Sequence, residues 1–132
     1  NSRMKRLLLS TVLVLSAGPA CAEWMSFGES GAGTTVYAAP TTKSRDGDQV
    51  NMWVLFDFKT AQAKADVSYL SAKAHMKYDC AKPRYEGLTV IYVSSNMGNG
   101  NILDRSSAKS MWLRISPGTL DHDLWKLACD KR

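Results

Sequence analysis

The chain has 132 residues, of which 17 are basic and 12 are acidic, so its formal net charge is +5. This length leaves room for one domain. Three of the basic residues, Arg3, Lys5 and Arg6, lie in an N-terminal leader without acidic residues. The other 14 basic residues exceed the 12 acidic ones by only two, a balance that does not predict a nucleic-acid partner.

The leader has the features of a secretory signal peptide. Basic residues precede an apolar run over 7–15, and Ala20 and Ala22 form a cleavage site of the A-x-A type. The run is too short for a transmembrane span. We therefore expect a signal peptide over 1–22, with an upstream remnant at 1–3. We expect an exported domain, periplasmic or secreted, over 23–132.

Cys21 leaves an alternative open. Lipoprotein processing would cut before this residue and attach a lipid to its thiol. That processing usually requires a leucine three residues upstream, where this sequence has Gly18. Soluble export is the first expectation, and outer-membrane lipid anchoring through Cys21 is the less favoured one.

Two cysteines remain after cleavage, Cys80 and Cys129. In an exported protein such a pair predicts one disulfide. A loop of this length stabilises a small domain by about 4 kcal/mol in the chain-entropy model.

Six stretches have the composition of strands. The clearest is "YLSAKAHMKYDC", in which apolar residues alternate with polar ones and Cys80 falls on the apolar face. Alternation in this stretch predicts an antiparallel sheet with one buried and one solvent-exposed face. In the stretch 49–58, Trp53 and Leu55 on the second face predict a central strand that is partly covered on both sides. The predicted strands span residues 23–29, 34–39, 49–58, 69–80, 87–95 and 101–107.

The C-terminal stretch "SPGTLDHDLWKLACDKR" has apolar residues at helical spacing. Ser116 or Thr119 is suited to cap its start. Cys129 lies on a stripe beside the leucine face, so a helix packed on the buried sheet face brings it to Cys80. The sequence thus predicts an α+β fold, in which a C-terminal helix is disulfide-linked across one face of an antiparallel sheet.

Several stretches resemble catalytic or metal-binding motifs only in part. "GESGAGTT" lacks the lysine of a phosphate-binding loop and precedes a β-branched stretch, which favours a hairpin connection. "SRDGDQ" lacks the further ligands of a calcium loop and predicts a turn. "DHD" at 121–123 has no second histidine at the required spacing, so we predict a charged helix start and no metal site.

The two histidines, His75 and His122, leave an enzymatic alternative open, since catalytic groups can be distant in sequence. No G-x-S-x-G motif is present. We therefore predict no catalytic residues, no cofactor and a non-enzymatic protein.

Lys73, His75 and Lys77 lie on the polar face of one predicted strand, with Arg84 just beyond it. Such a basic ridge is suited to an acidic glycan, an anionic lipid headgroup or an acidic protein patch. Ordinary solvation of a polar face is the plainer interpretation. These four residues are our candidate binding residues.

The mature chain resembles the surface-adhesin protein E family of Gram-negative bacteria. The resemblance rests on "VYAAP", "WVLFDF", "SAKAHMKYDC", "MGNGN", "SPGT" and "LWKLAC", in this order and spacing. It implies a single antiparallel sheet of about six strands with a disulfide-linked C-terminal helix. It also implies a non-catalytic envelope protein that binds host matrix or serum glycoproteins and is able to form a homodimer.

Our first expectation is therefore an adhesin-like binding domain that uses an exposed sheet face or edge for host glycoproteins or envelope proteins. The alternative is a soluble periplasmic housekeeping domain that binds a small ligand or an envelope component.

Overall fold

A computed structural model describes residues 23–31, 33–107 and 111–131. The predicted signal peptide, with Cys21, lies outside these residues. The described chain folds into seven strands, one 3₁₀ turn and one helix. They are β1 Met25–Glu29, β2 Thr34–Asp46, β3 Gln49–Lys64, β4 Val67–Asp79, β5 Arg84–Val93, the 3₁₀ turn Asn96–Gly98, β6 Ile102–Ser107, β7 Leu113–Arg114 and α1 Leu120–Cys129.

All strands belong to one antiparallel sheet in the order β1-β2-β3-β4-β5-β6. The first six strands therefore lie in the sheet in their sequence order. β6 pairs with residues 89–93 of β5, and the short β7 pairs with Arg84 and Tyr85 at the other end of the same strand. The predicted single antiparallel sheet with a C-terminal helix is confirmed.

The turns follow the residue chemistry of the sequence. "GESGAGTT" connects β1 to β2, which are antiparallel partners, and Gly31 and Gly33 within it have φ values of 69° and 83° that favour glycine. Gly47, with a φ of 63°, lies in the turn between β2 and β3. The predicted hairpin connection and turn are therefore confirmed for the described residues.

The C-terminal helix begins after Thr119, one of the two residues predicted to cap it. Thr119 accepts a hydrogen bond from the backbone N–H of His122 through its side chain (3.2 Å), and Asp121 and Asp123 occupy the first turn. Its apolar stripe, with Leu124 and Ala128, is buried against the sheet. In the part of the chain that the structure describes, no helix has both the length and the apolar character that crossing a bilayer requires.

Two contacts join the helix to the end of β4. Cys80 and Cys129 form a disulfide with a Cα–Cα distance of 5.5 Å. The indole N–H of Trp125 donates a hydrogen bond to the backbone carbonyl of Asp79 (2.7 Å). The predicted disulfide is confirmed, and the helix is held to the strand that alternation assigned to it.

The main core lies between the helix and the sheet face it covers, called here the helix face. The buried members of this core come from three strands, the segment after β7 and the helix. They are Val36, Ala38, Val50, Met52, Val54, Tyr78, Ile115, Leu124 and Ala128.

The opposite side, called here the open face, is less wet than strand alternation predicted. Leu55, Ile91 and Val93 lie on it and are buried. The segment after β5, residues 94–101, folds back over them. Asp57 accepts a hydrogen bond from the backbone N–H of Met97 (2.7 Å), and the Ser71 hydroxyl donates to the carbonyl of Ser95 (2.6 Å). The polar face predicted for β4 is therefore partly covered at this end of the sheet, in agreement with the prediction from Trp53 and Leu55 that β3 is partly covered on both sides.

Candidate functional site

Lys73, His75 and Lys77 form a row along β4 on the open face, called here the basic row. Direct cross-strand partners share a sheet face, and on β3 these partners are Leu55, Trp53 and Asn51. Alternate residues of a strand are about 7 Å apart, so the three side chains are neighbours. The sheet beneath them is paired on both sides of β4, which gives the row a rigid base.

Each member of the basic row has a definite neighbour. The ammonium of Lys77 lies 3.5 Å from the carboxylate of Glu86, whose side chain is buried. The aliphatic part of Lys73 lies under Gly98, where an added Cβ would be 3.3 Å from the Lys73 Cδ. These contacts position two half-buried cations on the open face.

His75 is an aromatic element between the two lysines. Its ring stacks on Trp53 with a centroid distance of 4.6 Å and an interplanar angle of 9°. Burial lowers the pKa of His75 below its ordinary value, since a partly desolvated imidazole resists charging. Near neutral pH, the basic row therefore presents two cations flanking an uncharged aromatic pair.

Arg84 continues the same face at the end of the sheet. It is the direct cross-strand partner of Asp79, two residues beyond Lys77 on β4. The Nε of Arg84 donates to the Asp79 carboxylate (2.8 Å), and its guanidinium lies over the Trp112 ring at 4.5 Å. The structure thus brings all four candidate binding residues to one side of the sheet.

Arg84 also lines a cleft at the sheet edge, called here the edge cleft. The cavity has a volume of about 610 Å³ and lies where β5, β7 and the start of α1 meet. Its polar and aromatic lining comes from Lys82, Arg84, Trp112, Arg114 and His122, and its apolar lining includes Pro83 and Pro117. This concentration of cations beside an indole is suited to an anionic ligand with a flat apolar surface.

Sequence analysis missed Lys82, Trp112 and Arg114 as site residues. Lys82 follows Cys80 closely, but Trp112 and Arg114 come about thirty residues later and meet it only through the pairing of β5 with β7. The one local signal is the stretch "KPR", in which two cations flank a proline beside the disulfide cysteine.

The remaining motif residues have structural surroundings. His122 lies in the first turn of the helix, where its ring stacks on Trp125 with a centroid distance of 5.4 Å. Within residues 23–31, 33–107 and 111–131, no group of three or more His, Cys, Asp or Glu side chains is arranged to hold a metal.

The chain is similar to known proteins over almost all of its described length. The model of the surface-adhesin protein E family matches residues 24–130. Crystal form II of Haemophilus influenzae protein E has a TM-score of 0.57 at 13% identity, with 77% of this chain and 91% of that chain covered. The selenomethionine form of that protein has a TM-score of 0.58 at 12% identity, with 84% and 96% covered.

No curated protein sequence matches this chain. At the identities given above, the similarity to the solved structures shows a shared fold, while the family match spans all the described strands and the C-terminal helix. The chain therefore belongs to the surface-adhesin protein E family.

Proposed function

We propose that the mature chain is a non-enzymatic adhesin domain that binds host matrix or serum glycoproteins through the open face of its sheet. The observation that carries this proposal is the alignment of Lys73, His75, Lys77 and Arg84 along one face. Membership of an adhesin family supports the same function.

A protein partner suits the shape and chemistry of this face. The basic row stands on a strand that is paired on both sides, so its side chains are held at fixed positions along one face. Cations next to the Trp53–His75 stack combine electrostatic attraction with aromatic contact area, and aromatic and arginine side chains dominate the energetics of many interfaces. His75 stacks on Trp53 in the sheet, and His122 stacks on Trp125 in the helix. These ring contacts favour structural roles for both histidines over acid–base catalysis.

The test is binding of the oxidised domain to immobilised mammalian matrix and serum glycoproteins at physiological salt. We expect the double variant Lys73→Ala plus Lys77→Ala to bind at least about tenfold more weakly, because two charge-assisted contacts are lost. The matched control is Lys59→Ala plus Lys126→Ala, which removes the same charge from exposed positions outside the row.

Thermal melting of each variant separates binding from folding, since Lys77 also pairs with buried Glu86. The single variant Lys73→Ala leaves that pair intact, and its binding should be weakened by part of the amount seen in the double variant. Equal binding by the wild type and the double variant would assign the glycoprotein contact to another surface. Binding of no glycoprotein by the wild type would overturn the proposed function.

One observation favours the alternative function, a periplasmic domain that binds a small ligand or an envelope component. The volume of the edge cleft lies within the range of about 300–1,000 Å³ that is typical of small-molecule sites. The intact mass of the mature protein discriminates between the two functions. A lipid on Cys21 would support presentation at the outer membrane, while an unmodified N-terminus at residue 23 would support the soluble domain.

Homodimer formation also remains a prediction. β6 is an edge strand with Ile102 and Leu103 exposed at 52% and 36%, and such an edge can pair with a second copy. Analytical ultracentrifugation that gives the mass of a monomer up to high micromolar concentrations would count against it.

A further inference from the structure

We propose that the edge cleft binds an acidic sugar chain, one that carries sulfate or carboxylate groups on its pyranose rings. This inference rests on the proposed glycoprotein-binding function and names the part of a glycoprotein that the cleft would recognise. It places the sugar contact at Lys82, Trp112 and Arg114, outside the basic row.

The first step concerns charge. Arg84 and Arg114 are direct cross-strand partners on β5 and β7, so their side chains leave the same face of the sheet. Like charges in this arrangement are destabilising unless something compensates them. Asp79 compensates Arg84 at 2.8 Å. Among the described residues, no carboxylate lies within 4.0 Å of the cationic groups of Arg114 or Lys82.

The edge cleft is therefore lined by two cations without a carboxylate partner, Lys82 and Arg114, and by the compensated Arg84. An anion placed between them would relieve the repulsion across β5 and β7. A guanidinium donates two parallel N–H groups, which match the oxygens of a carboxylate or a sulfate. Arg114 and Lys82 are thus suited to acidic substituents that are spaced along one ligand.

The second step concerns shape. Trp112 provides an indole at the cleft, and Pro83 and Pro117 add apolar surface. A pyranose ring has a flat face of C–H groups that packs on such surfaces, while its substituents point outward to polar partners. An acidic sugar presents both features in one unit. A flexible acidic peptide supplies charge without the flat apolar face.

The third step concerns rigidity. The backbone N–H of Ile115 donates to the carbonyl of Pro83 (2.8 Å), which fixes the segment of Trp112 and Arg114 against that of Lys82. Asp79 holds the guanidinium of Arg84 over the Trp112 ring. Since these contacts exist without a ligand, little ordering is required when one binds.

The experiment uses the oxidised domain and a heparin-derived tetrasaccharide, with binding followed by calorimetry and by tryptophan fluorescence. We expect saturable binding that weakens as salt rises. The variant Lys82→Ala plus Arg114→Ala should bind at least about tenfold more weakly. Trp112→Leu should also weaken binding, while Arg114→Lys should keep part of it because the charge remains.

The controls test charge, sugar and fold separately. Lys59→Ala plus Lys126→Ala removes the same charge elsewhere and should bind within about twofold of the wild type. A neutral chitin-derived tetrasaccharide should not bind, and an aspartate-rich peptide of equal charge should bind more weakly than the acidic sugar. Melting temperatures of all variants verify that they fold.

Three results of these control measurements would overturn the inference. They are equal loss in the charge-matched control, equal binding of the neutral sugar, and equal binding of the acidic peptide. Glycoprotein binding without tetrasaccharide binding would overturn this inference and leave the proposed function standing. Tetrasaccharide binding without glycoprotein binding would support this inference and overturn the proposed function.

Discussion

At the scale of single residues, Asp79 links the fold to the edge cleft. Its carboxylate accepts hydrogen bonds from Arg84 (2.8 Å) and from the backbone of Ala81 (2.9 Å), and its carbonyl accepts one from Trp125. Burial opposes ionisation, but the hydrogen bonds and charge of Arg84 outweigh it and hold the pKa of Asp79 below its ordinary value. The ionised carboxylate is therefore a stabilising group.

The variant Asp79→Asn tests this role through its pH dependence. A carboxyl with a lowered pKa stabilises the folded state above its unfolded pKa of about 4, and this stabilisation is lost as the pH falls through the lowered folded pKa. We expect a cost of about 1–2 kcal/mol at pH 7 that shrinks as the pH falls below about 4. Urea denaturation of both proteins at several pH values measures it.

The control for Asp79→Asn is Asp66→Asn, in the turn between β3 and β4, where the side chain is exposed. Its free energy of unfolding should change by less than about 0.5 kcal/mol. A cost at Asp79 that stays the same at low pH would show that packing of the side chain, and not its charge, is responsible.

At the scale of elements, the segment 94–101 determines how much of the open face is covered. The path of this segment depends on Gly100, which has a φ of 94° and packs closely against Ser94 and Ser95. A Cβ at this position would lie 2.5 Å from the Ser94 hydroxyl oxygen and 2.8 Å from that of Ser95. The Ser94 hydroxyl also accepts a hydrogen bond from the backbone of Asn101 (2.9 Å), so it is not free to move away without loss.

We expect Gly100→Ala to destabilise the domain by about 2–3 kcal/mol, because backbone strain and a steric clash add together. The matched control is Gly47→Ala. Gly47 also has a positive φ, of 63°, but no heavy atom lies within 4 Å of its added Cβ. Strain alone should cost about 1 kcal/mol there. Equal unfolding free energies for the two variants would contradict the packed arrangement of residues 94–101.

At the scale of the whole molecule, the disulfide joins the two layers of the fold. Cys80 and Cys129 are separated by 49 residues, and the chain between them includes β5, β6, β7 and the helix. Closing such a loop stabilises the folded state by about 4 kcal/mol in the chain-entropy model. This is a large share of the stability of a domain of about 110 residues.

We expect reduction of the disulfide, or the double variant Cys80→Ala plus Cys129→Ala, to lower the melting temperature strongly. Thermal unfolding with and without reductant measures this effect. Thiol titration of the native protein from residue 23 onward should find no free thiol. Two reactive thiols, or an unchanged melting temperature, would contradict a helix held to the sheet by this bond.

Much of the fold could be predicted because it depends on local patterns. Alternation in "YLSAKAHMKYDC" placed Cys80 on the buried face, and helical spacing in "LWKLAC" placed Cys129 toward the sheet. Thr119 rather than Ser116 caps the helix. The sequence left both residues open, because the cap depends on where the backbone enters the helix. The four candidate binding residues do share one side of the sheet, since strand period and turn position determine where their side chains point.

By itself, the sequence determined the first six strands, the helix, the disulfide and the side of the sheet occupied by the basic row, while the short β7 was not predicted. These features follow from periodicity and from the exclusion of apolar side chains from water, which act over a few residues. Only the tertiary structure decided that residues 94–101 cover part of the open face and that Trp112 and Arg114 join Lys82 and Arg84 in a cleft. The cover depends on hydrogen bonds from residues 94–101 to Asp57 and Ser71, and the cleft depends on the long-range pairing of β5 with β7, neither of which a local pattern encodes.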